Sequence, residues 1–221
     1  TLESIIKGSE LFFGSYSIFY IVVYIILAVS SFNEIKKYYI NKYFLHKDII
    51  IKSNNVIGVS IVAPAFNEGL TIISNVKSLL SQEYPKFEVV IVNDGSTDDT
   101  LEKLISEFEL VKVDFFYIEK IKTEPVRGHY RSTNPIYNKL LIVDKENGKS
   151  KADASNAGIN STRYSLFICT DVDCILRRDT TAMLVKPFLE SDKKVIAAGA
   201  ALRISGRQYL VGTRLRPQCR V

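Results

Sequence analysis

The first strong pattern along the chain is an uncharged, apolar segment near its start. Residues 11–32 read LFFGSYSIFYIVVYIILAVSSF and contain no Asp, Glu, Lys or Arg. A helix of this length would extend about 33 Å, enough to cross the hydrocarbon core of a bilayer. The pattern therefore predicts a transmembrane helix at 11–32, preceded by a short N-terminal tail at 1–10.

Basic residues follow this segment and predict its orientation. Four lysines lie close to its C-terminal side: Lys36, Lys37, Lys42 and Lys47. Because positively charged flanks stay in the cytoplasm, we expect a membrane protein whose residues after the apolar segment are cytoplasmic and whose N-terminus is outside. Residues 33–55 mix these lysines with aromatic positions, which predicts a basic juxtamembrane connector on the membrane surface or in solvent.

Two other interpretations of the apolar segment stay open. Ala28-Val29-Ser30 could be the cleavage site of a signal peptide, although the run is long for a signal and its N-terminal flank is not basic. A buried core helix is the other alternative, because an apolar run alone does not distinguish the two.

From Val56 onward, short β-branched runs alternate with helical stripes. Strands are predicted at 56–63, 87–92, 113–118, 140–144 and 195–204, with a further apolar run from Leu166. Helices are predicted at 71–81, across the stripe 101–108, at 151–161 and at 180–190. This alternation predicts a parallel sheet with helices on its faces. Residues 119–139, which are interrupted by prolines and a glycine, predict a long loop.

Composition fits one folded domain and excludes several other classes. A hydrophobic fraction of 47% and a charged fraction of 24% are typical of folded proteins. We assign residues 56–204 to the domain and 205–221 to a basic tail. A net charge of +5 is too mild to predict a nucleic-acid partner. Three cysteines without a CxxC pair predict neither a zinc site nor a disulfide framework.

Two carboxylates follow the apolar run that starts at Leu166. Asp171 and Asp173 are one residue apart, and alternate side chains of a strand project from the same side. Two like charges this close need a cation or water. A divalent metal that carries phosphates is a suitable partner, because Mg²⁺ is held by one or two carboxylates plus substrate phosphates. The alternative is an exposed turn.

Other polar residues follow the predicted strands in the same way. Asn67 and Glu68 come after the first strand, and Asp94 comes after the second. Each has an ordinary explanation, since Asn67 and Glu68 could cap a helix and Asp94 precedes a turn glycine. In an open α/β sheet, however, ligands bind beyond the carboxyl ends of the strands. Lys151 opens a predicted helix, where a lysine is unfavourable unless an anion such as a diphosphate lies nearby.

Familiar nucleotide-binding motifs are missing from the sequence. It has neither a GxxxxGK[ST] P-loop nor a GxGxxG after the first strand. His46 and His129 are isolated in sequence, and we interpret them as surface residues rather than catalytic bases.

Four motifs in order resemble family 2 glycosyltransferases. They are Val59-Ser60-Ile61-Val62-Ala63-Pro64-Ala65-Phe66-Asn67-Glu68, Val92-Asn93-Asp94-Gly95-Ser96-Thr97-Asp98, Lys151-Ala152-Asp153-Ala154-Ser155-Asn156-Ala157-Gly158 and Thr170-Asp171-Val172-Asp173. The sequence looks most like the membrane-bound polysaccharide synthases, the group that contains hyaluronan, chitin, cellulose and poly-N-acetylglucosamine synthases. The resemblance covers about Val56 to Ile204.

The resemblance implies a fold, a donor and a metal. The fold would be a glycosyltransferase-A (Rossmann-like) α/β sheet with helices on both faces, preceded by one transmembrane helix. The donor would be a UDP-sugar and the cofactor Mg²⁺ or Mn²⁺. By the same resemblance, these residues would bind the nucleotide sugar: Ala63, Asn67, Glu68, Asp94, Lys151 and Asp171. Asp173, with Asp171, would hold the metal, which neutralises the diphosphate leaving group.

The family also uses residues that this sequence does not supply. An acidic motif provides the general base in family members, and a Gln-x-x-Arg-Trp motif lies beyond it. This sequence contains no Trp, and no Asp or Glu follows Asp192. Because a general base must reach the acceptor proton, we identify no catalytic base and expect a donor-binding half that is inactive alone.

Several functions therefore remain in competition. The first is an inverting transferase for β-linked polysaccharide synthesis, with a saccharide or lipid-linked acceptor. The second is a membrane-anchored module that binds a nucleotide sugar without transferring it. A third is a lipid-phosphate sugar transferase of the same family. A basic, non-enzymatic protein of the membrane surface is the fourth, and it leaves the ordered motifs unexplained.

Overall fold

The computed structural model describes residues 2–43, 56–192 and 194–200, together with four two-residue strands beyond residue 200. The chain separates into two compact units, residues 1–46 and 47–221. The first unit is a helix, and the second is built around a six-stranded sheet.

Helix α1 (Leu2–Tyr43) contains the predicted apolar segment and extends beyond it at both ends. Its side chains between residues 6 and 36 are not buried, which does not fit the interpretation as a core helix. Among the described residues it is the one helix that is long and apolar enough to cross a membrane, although a signal sequence would pass the same test. Residues 44–55 of the predicted connector lie outside the described residues.

Among its described residues, the second unit contains six strands of the main sheet and four helices. The strands are β1 (Val59–Ala65), β2 (Phe87–Asp94), β3 (Leu110–Val113), β4 (Val126–Ser132), β5 (Leu140–Lys145) and β6 (Leu166–Cys169). The helices are α2 (Ile72–Leu80), α3 (Thr100–Glu107), α4 (Lys151–Asn160) and α5 (Thr180–Glu190), and Pro135–Tyr137 forms a 3-10 turn. Two short antiparallel pairs follow: β7 (Arg203–Ile204) with β10 (Cys219–Arg220), and β8 (Leu210–Val211) with β9 (Arg214–Leu215).

The strand order in the sheet is β3-β4-β5-β2-β1-β6. Strands β1, β2, β5 and β6 pair in parallel, whereas β4 is antiparallel to both β3 and β5. The α/β class is therefore as predicted, but the sheet is mixed rather than wholly parallel.

Helices cover both faces of this sheet, because successive strand side chains point to opposite faces. Ile61 and Ile91 lie in a core with residues of α2, α3 and α5. Val62 and Val92 lie on the other face with Ala154 and Ala157 of α4. Helix α4 lies very close to the sheet, since a Cβ at Gly158 would come within 2.4 Å of Val62.

Three predicted elements are wrong. The third strand is Leu110–Val113 instead of 113–118, and the predicted loop 119–139 contains β4. Strand β4 reads Val-Arg-Gly-His-Tyr-Arg-Ser, so its polar residues hide the apolar alternation that marks a strand. Residues 194–200 form no strand, despite their apolar sequence.

Candidate functional site

The four parallel strands all end on one side of the sheet, which we call the carboxyl edge. Ala65 pairs with Asn93, and Asp94 pairs with Lys145, so the ends of β1, β2 and β5 lie level with one another. Strand β6 ends at Cys169, just before the predicted pair of carboxylates. This is the side of an α/β sheet where ligands bind.

Asn67 and Glu68 fasten the loop after β1 to the loop after β2. Asn67 has a left-handed backbone, with φ of 54°, and its Oδ1 accepts a hydrogen bond from the Thr97 backbone N–H at 2.8 Å. The Glu68 backbone N–H donates to Thr100 Oγ1 at 3.0 Å. These two bonds join the two loops and do not cap α2, although the Glu68 carbonyl oxygen does accept a hydrogen bond from the Ile72 backbone N–H at 2.9 Å. Both residues lie at the carboxyl edge.

Ala63 has a different position from the other predicted residues. Its side chain is fully buried, within the core formed by α2, α3 and α5. Its proposed contact with the nucleotide stays a prediction.

Asp94 is almost completely buried at the end of β2. Its Oδ1 accepts a hydrogen bond from Lys145 Nζ at 2.9 Å and another from the Gly148 backbone N–H at 3.2 Å. Gly95 follows with φ of +65°, and a Cβ there would lie 2.7 Å from the Asn147 backbone nitrogen. The chain can therefore turn here only with glycine, and this turn fixes the orientation of Asp94.

Lys145 is the buried cation that the sequence reasoning missed. It has no exposed surface, and its ammonium group lies 2.9 Å from Asp94 and 2.6 Å from Asp153. Burial alone would lower the pKa of Lys145, but hydrogen bonds and attraction from Asp153 and Asp94 raise it. The available signal was a charged residue that follows the buried run Leu140–Val143 after one intervening polar residue, Asp144. Asp94 follows its own apolar run in the same way, after Asn93.

Asp171 and Asp173 lie close together as predicted, but in an exposed turn beyond β6 rather than on the strand itself. Their carboxylate oxygens and the Cys174 sulfur all lie within 4.8 Å of one another. Both carboxylates are exposed, whereas Cys174 is buried. Carboxylate oxygens suit Mg²⁺ or Mn²⁺, and a thiol is a poor ligand for either ion. The two carboxylates therefore fit the implied metal.

Lys151 begins helix α4 and forms an ion pair with Asp171. Both side chains are at least half exposed, so this pair contributes little to stability. It places an exposed positive charge beside the two carboxylates, at a helix N-terminus that itself favours anions.

The first turn of α4 joins the two halves of the carboxyl edge. Asp153 contacts Lys145, which holds Asp94, and Lys151 contacts Asp171. Asp153 Oδ1 also accepts a hydrogen bond from the Glu124 backbone N–H at 3.1 Å. Five charged residues from β2, β5, α4 and the turn after β6 are thereby held in one connected arrangement.

His129 is not a surface residue, which corrects the interpretation from sequence. It is buried on β4, its ring stacks on Phe115 with 4.4 Å between centroids, and its Nε2 lies 3.0 Å from Ser161 Oγ. Burial, reinforced by the positive charge of Arg131, lowers the pKa of His129 to about 4. The imidazole is thus neutral at physiological pH and belongs to the core.

The chain is similar to one protein family and to curated polysaccharide synthases. The model of the family "Glycosyl transferase family 2" matches residues 60–134. The poly-β-1,6-N-acetyl-D-glucosamine synthase of Staphylococcus aureus (strain COL) is 28% identical over 171 residues, which are 77% of this chain and 35% of the relative. The synthase of the same name from Staphylococcus epidermidis (strain ATCC 35984) is 27% identical over 177 residues, or 79% of this chain and 36% of the relative. The chain thus spans about a third of the length of these curated relatives.

Two solved structures are partly similar to this chain. The mannosyltransferase PcManGT from Pyrobaculum calidifontis, in complex with GDP-Man and Mn²⁺, is 24% identical, with a TM-score of 0.46. The match covers 68% of this chain and 39% of that structure. S. aureus TarS 1–349 in complex with UDP-GlcNAc is 20% identical, with a TM-score of 0.42, and the match covers 59% and 31% of the two chains.

The family match includes the loops after β1 and β2, and the similarity to the staphylococcal synthases covers more than three quarters of the chain. Residues 60–134 thus match the model of glycosyl transferase family 2, and the chain is similar to poly-β-1,6-N-acetyl-D-glucosamine synthases.

Proposed function

We propose that this chain binds the UDP-sugar donor of a membrane-anchored glycosyltransferase that makes a β-linked polysaccharide. The observation that carries this proposal is the pair Asp171 and Asp173, within 4.8 Å of each other beyond β6 and beside Lys151. The names of the staphylococcal relatives favour N-acetylglucosamine as the sugar.

Each residue of the carboxyl edge has a proposed task. Asp94, held through its Oδ1, offers its other carboxylate oxygen to the uracil or ribose. Lys151 turns from Asp171 toward the diphosphate, and its charge together with the start of α4 stabilises that anion. Asn67 and Glu68 keep the loop after β1 closed against the loop after β2, and Ala63 supports this wall of the pocket from within the core.

Asp171 and Asp173 would hold Mg²⁺ or Mn²⁺. Bound there, the metal would supply Lewis-acid stabilisation of the departing diphosphate. The carboxylates themselves orient the donor and cannot serve as the general base while they ligate a cation.

The acceptor and the membrane complete the proposal. The hydroxyl group of a saccharide, or of a lipid-linked saccharide, displaces UDP from the sugar with inversion. The apolar segment of helix α1 anchors the chain in the membrane, and the lysines that follow this segment favour a cytoplasmic position for the catalytic domain. We expect donor binding to persist where transfer does not, because we identify no general base.

Calorimetry with UDP in the presence of Mn²⁺ tests the site. We expect Asp173→Ala to weaken UDP binding at least tenfold, because it removes a metal ligand, and Asp171→Ala to do the same. Removing Mn²⁺ from the wild type should weaken UDP binding to a similar extent. The matched control is Asp114→Ala, which removes an exposed carboxylate after β3 and should leave binding unchanged.

Two results would count against the proposal. Equal UDP affinity in the wild type and both site variants would refute the metal assignment. A wild type that binds no UDP with or without Mn²⁺ would refute donor binding. An assay of UDP release from UDP-N-acetylglucosamine, with and without a saccharide acceptor, then separates binding from transfer.

A further inference from the structure

A charged cavity lies at the side of the sheet opposite the carboxyl edge, where the parallel strands begin. It has a volume of about 380 Å³, and it is lined by Pro85, Lys86, Phe87, Glu88, Asn138, Lys139, Arg163 and Tyr164. Lys86 precedes β2, Lys139 precedes β5, and Arg163 lies shortly before β6. We call it the amino-edge cavity.

The amino-edge cavity is far from the carboxyl edge. Phe87 begins β2 and Asp94 ends it, and seven residues at 3.3 Å each separate the two by about 23 Å. A nucleotide diphosphate at the carboxyl edge therefore cannot reach these cations.

Aromatic rings hold the two lysines of the cavity. Lys139 Nζ lies 4.0 Å from the centroid of the Phe87 ring, and Lys86 Nζ lies 5.9 Å from that of Tyr164. The Tyr164 ring is itself fixed against Gly58, where an added Cβ would come within 2.2 Å of the ring. The rings limit the positions of the ammonium groups without neutralising their charge.

The cations of the cavity are not balanced by carboxylates. Glu88 is the one acidic residue in the lining, and its buried Oε1 already accepts hydrogen bonds from Ser60 Oγ at 2.7 Å and the Arg163 backbone N–H at 2.6 Å. Among the described residues, no carboxylate lies within 4.0 Å of the charged nitrogens of Lys86, Lys139 or Arg163. Three positive charges thus surround one negative charge that is already engaged.

The titration of nearby groups agrees with this excess of positive charge. Burial lowers the pKa of Lys139. Burial and repulsion from Arg163 lower the pKa of Arg131, on the neighbouring strand β4, although Glu88 opposes this change. An anion in the cavity would relieve both the desolvation and the repulsion.

We propose that the amino-edge cavity is a binding site for a phosphate group, formed by Lys86, Lys139 and Arg163. Phosphate suits it better than a carboxylate, because its several oxygens can accept from cations on three strand starts at once, and Arg163 supplies a planar fork of donors. The Asn138 amide lies in the lining and provides a neutral donor. The phosphate comes either from a soluble ion or from the headgroup of an anionic lipid.

The test measures the thermal midpoint of the full chain in phosphatidylcholine nanodiscs, with EDTA present so that the carboxyl edge holds no metal. Inorganic phosphate should raise the midpoint saturably, by about 5 °C at a hundredfold excess over its dissociation constant. Chloride at equal ionic strength should not. Lys139→Met should weaken phosphate binding at least tenfold, while its midpoint without phosphate stays equal to or above that of the wild type.

Matched variants keep the test decisive. Lys77→Met removes an equal charge from α2, where Lys77 pairs with Glu107, and should respond to phosphate like the wild type. Arg163→Gln changes an exposed residue and replaces Lys139→Met if that variant does not fold. UDP binding with Mn²⁺ should be unchanged in Lys139→Met, so this site and the proposed donor site can fail separately.

Replacement of phosphatidylcholine by phosphatidylglycerol identifies the source of the phosphate. If the site binds a lipid headgroup, added phosphate does not raise the thermal midpoint of the wild type in these nanodiscs. If the site binds a soluble phosphate ion, added phosphate raises the thermal midpoint as much as it does in phosphatidylcholine. A wild type that responds to phosphate no more than to chloride, or a Lys139→Met variant that responds equally, would overturn the proposal.

Discussion

The two edges of the sheet differ in whether a buried or half-buried lysine has carboxylate partners. At the carboxyl edge, Lys145 is fully buried between Asp94 and Asp153, and these partners raise its pKa. At the amino edge, Lys139 is half-buried against Phe87 and its pKa is lowered. A lysine that is paired with carboxylates holds those carboxylates in place, whereas a lysine without such partners can bind an anion.

His129 gives a third outcome within the same sheet. It is buried as Lys145 is, but rings and Arg131 surround it instead of carboxylates. Because burial destabilises the charged imidazolium form, a histidine with so low a pKa is neutral near pH 7. Three buried or half-buried bases thus differ because of their neighbours, and each difference can be measured.

The largest effect is expected from Lys145→Met. The substitution leaves Asp94 and Asp153 close together without a cation, and loss of one partner from a buried ion pair costs about 3–5 kcal/mol. We expect this decrease in the free energy of unfolding in urea. The double variant Lys145→Met/Asp153→Asn should recover part of the loss, since it removes one of the two carboxylates. A loss below about 1 kcal/mol in the single variant would show that the ion pairs do not hold the edge together.

The second effect is the dependence of stability on pH through His129. Its pKa is about 4 in the folded chain and about 6.5 in an unfolded chain. Between these values the unfolded state binds a proton that the folded state does not, so the free energy of unfolding falls as the pH decreases. The loss from this residue should be about 2 kcal/mol at pH 5 and absent above pH 7.

A His129→Phe variant isolates this contribution from that of the carboxylates. Phenylalanine keeps the stack on Phe115, and Ser161 Oγ still donates to the Ala157 carbonyl at 3.1 Å. Urea unfolding at pH 7 and pH 5 should therefore show a smaller decrease in the variant than in the wild type. Parallel decreases in the two proteins would contradict a neutral, buried imidazole.

Much of the carboxyl edge was predictable because it follows from local sequence. Asp94 and Asp171 each follow an apolar run after one intervening polar residue, and parallel strands end on one side of a sheet. Lys145 follows the same rule, but a lysine at the end of a strand is ordinary on a surface. Its burial is compensated by Asp153, which comes from another element.

The amino edge was not predictable in the same way. Lys86, Lys139 and Arg163 are far apart in sequence, and only the pairing of β1 with β2 and β6, and of β2 with β5, brings them together. Strand β4 was missed for a related reason. Its buried His129 is polar, and its contribution to the core depends on Phe115 and Tyr117, which pack on it from outside the strand.

The smallest effect is expected from Lys86→Met, at the margin of the amino-edge cavity. Lys86 is exposed and its ammonium lies 5.9 Å from the Tyr164 ring, so the attraction lost is about 0.5 kcal/mol. Relief of repulsion from Lys139 and Arg163 should offset this loss in 10 mM salt, where charges act over about 30 Å, but not in 1 M salt. Urea unfolding should therefore show a variant equal to or slightly more stable than the wild type at low salt, and slightly less stable at high salt. A loss that does not change with salt would mean that Lys86 acts through packing, and the contrast with Lys145 would then rest on burial rather than on compensation of charge.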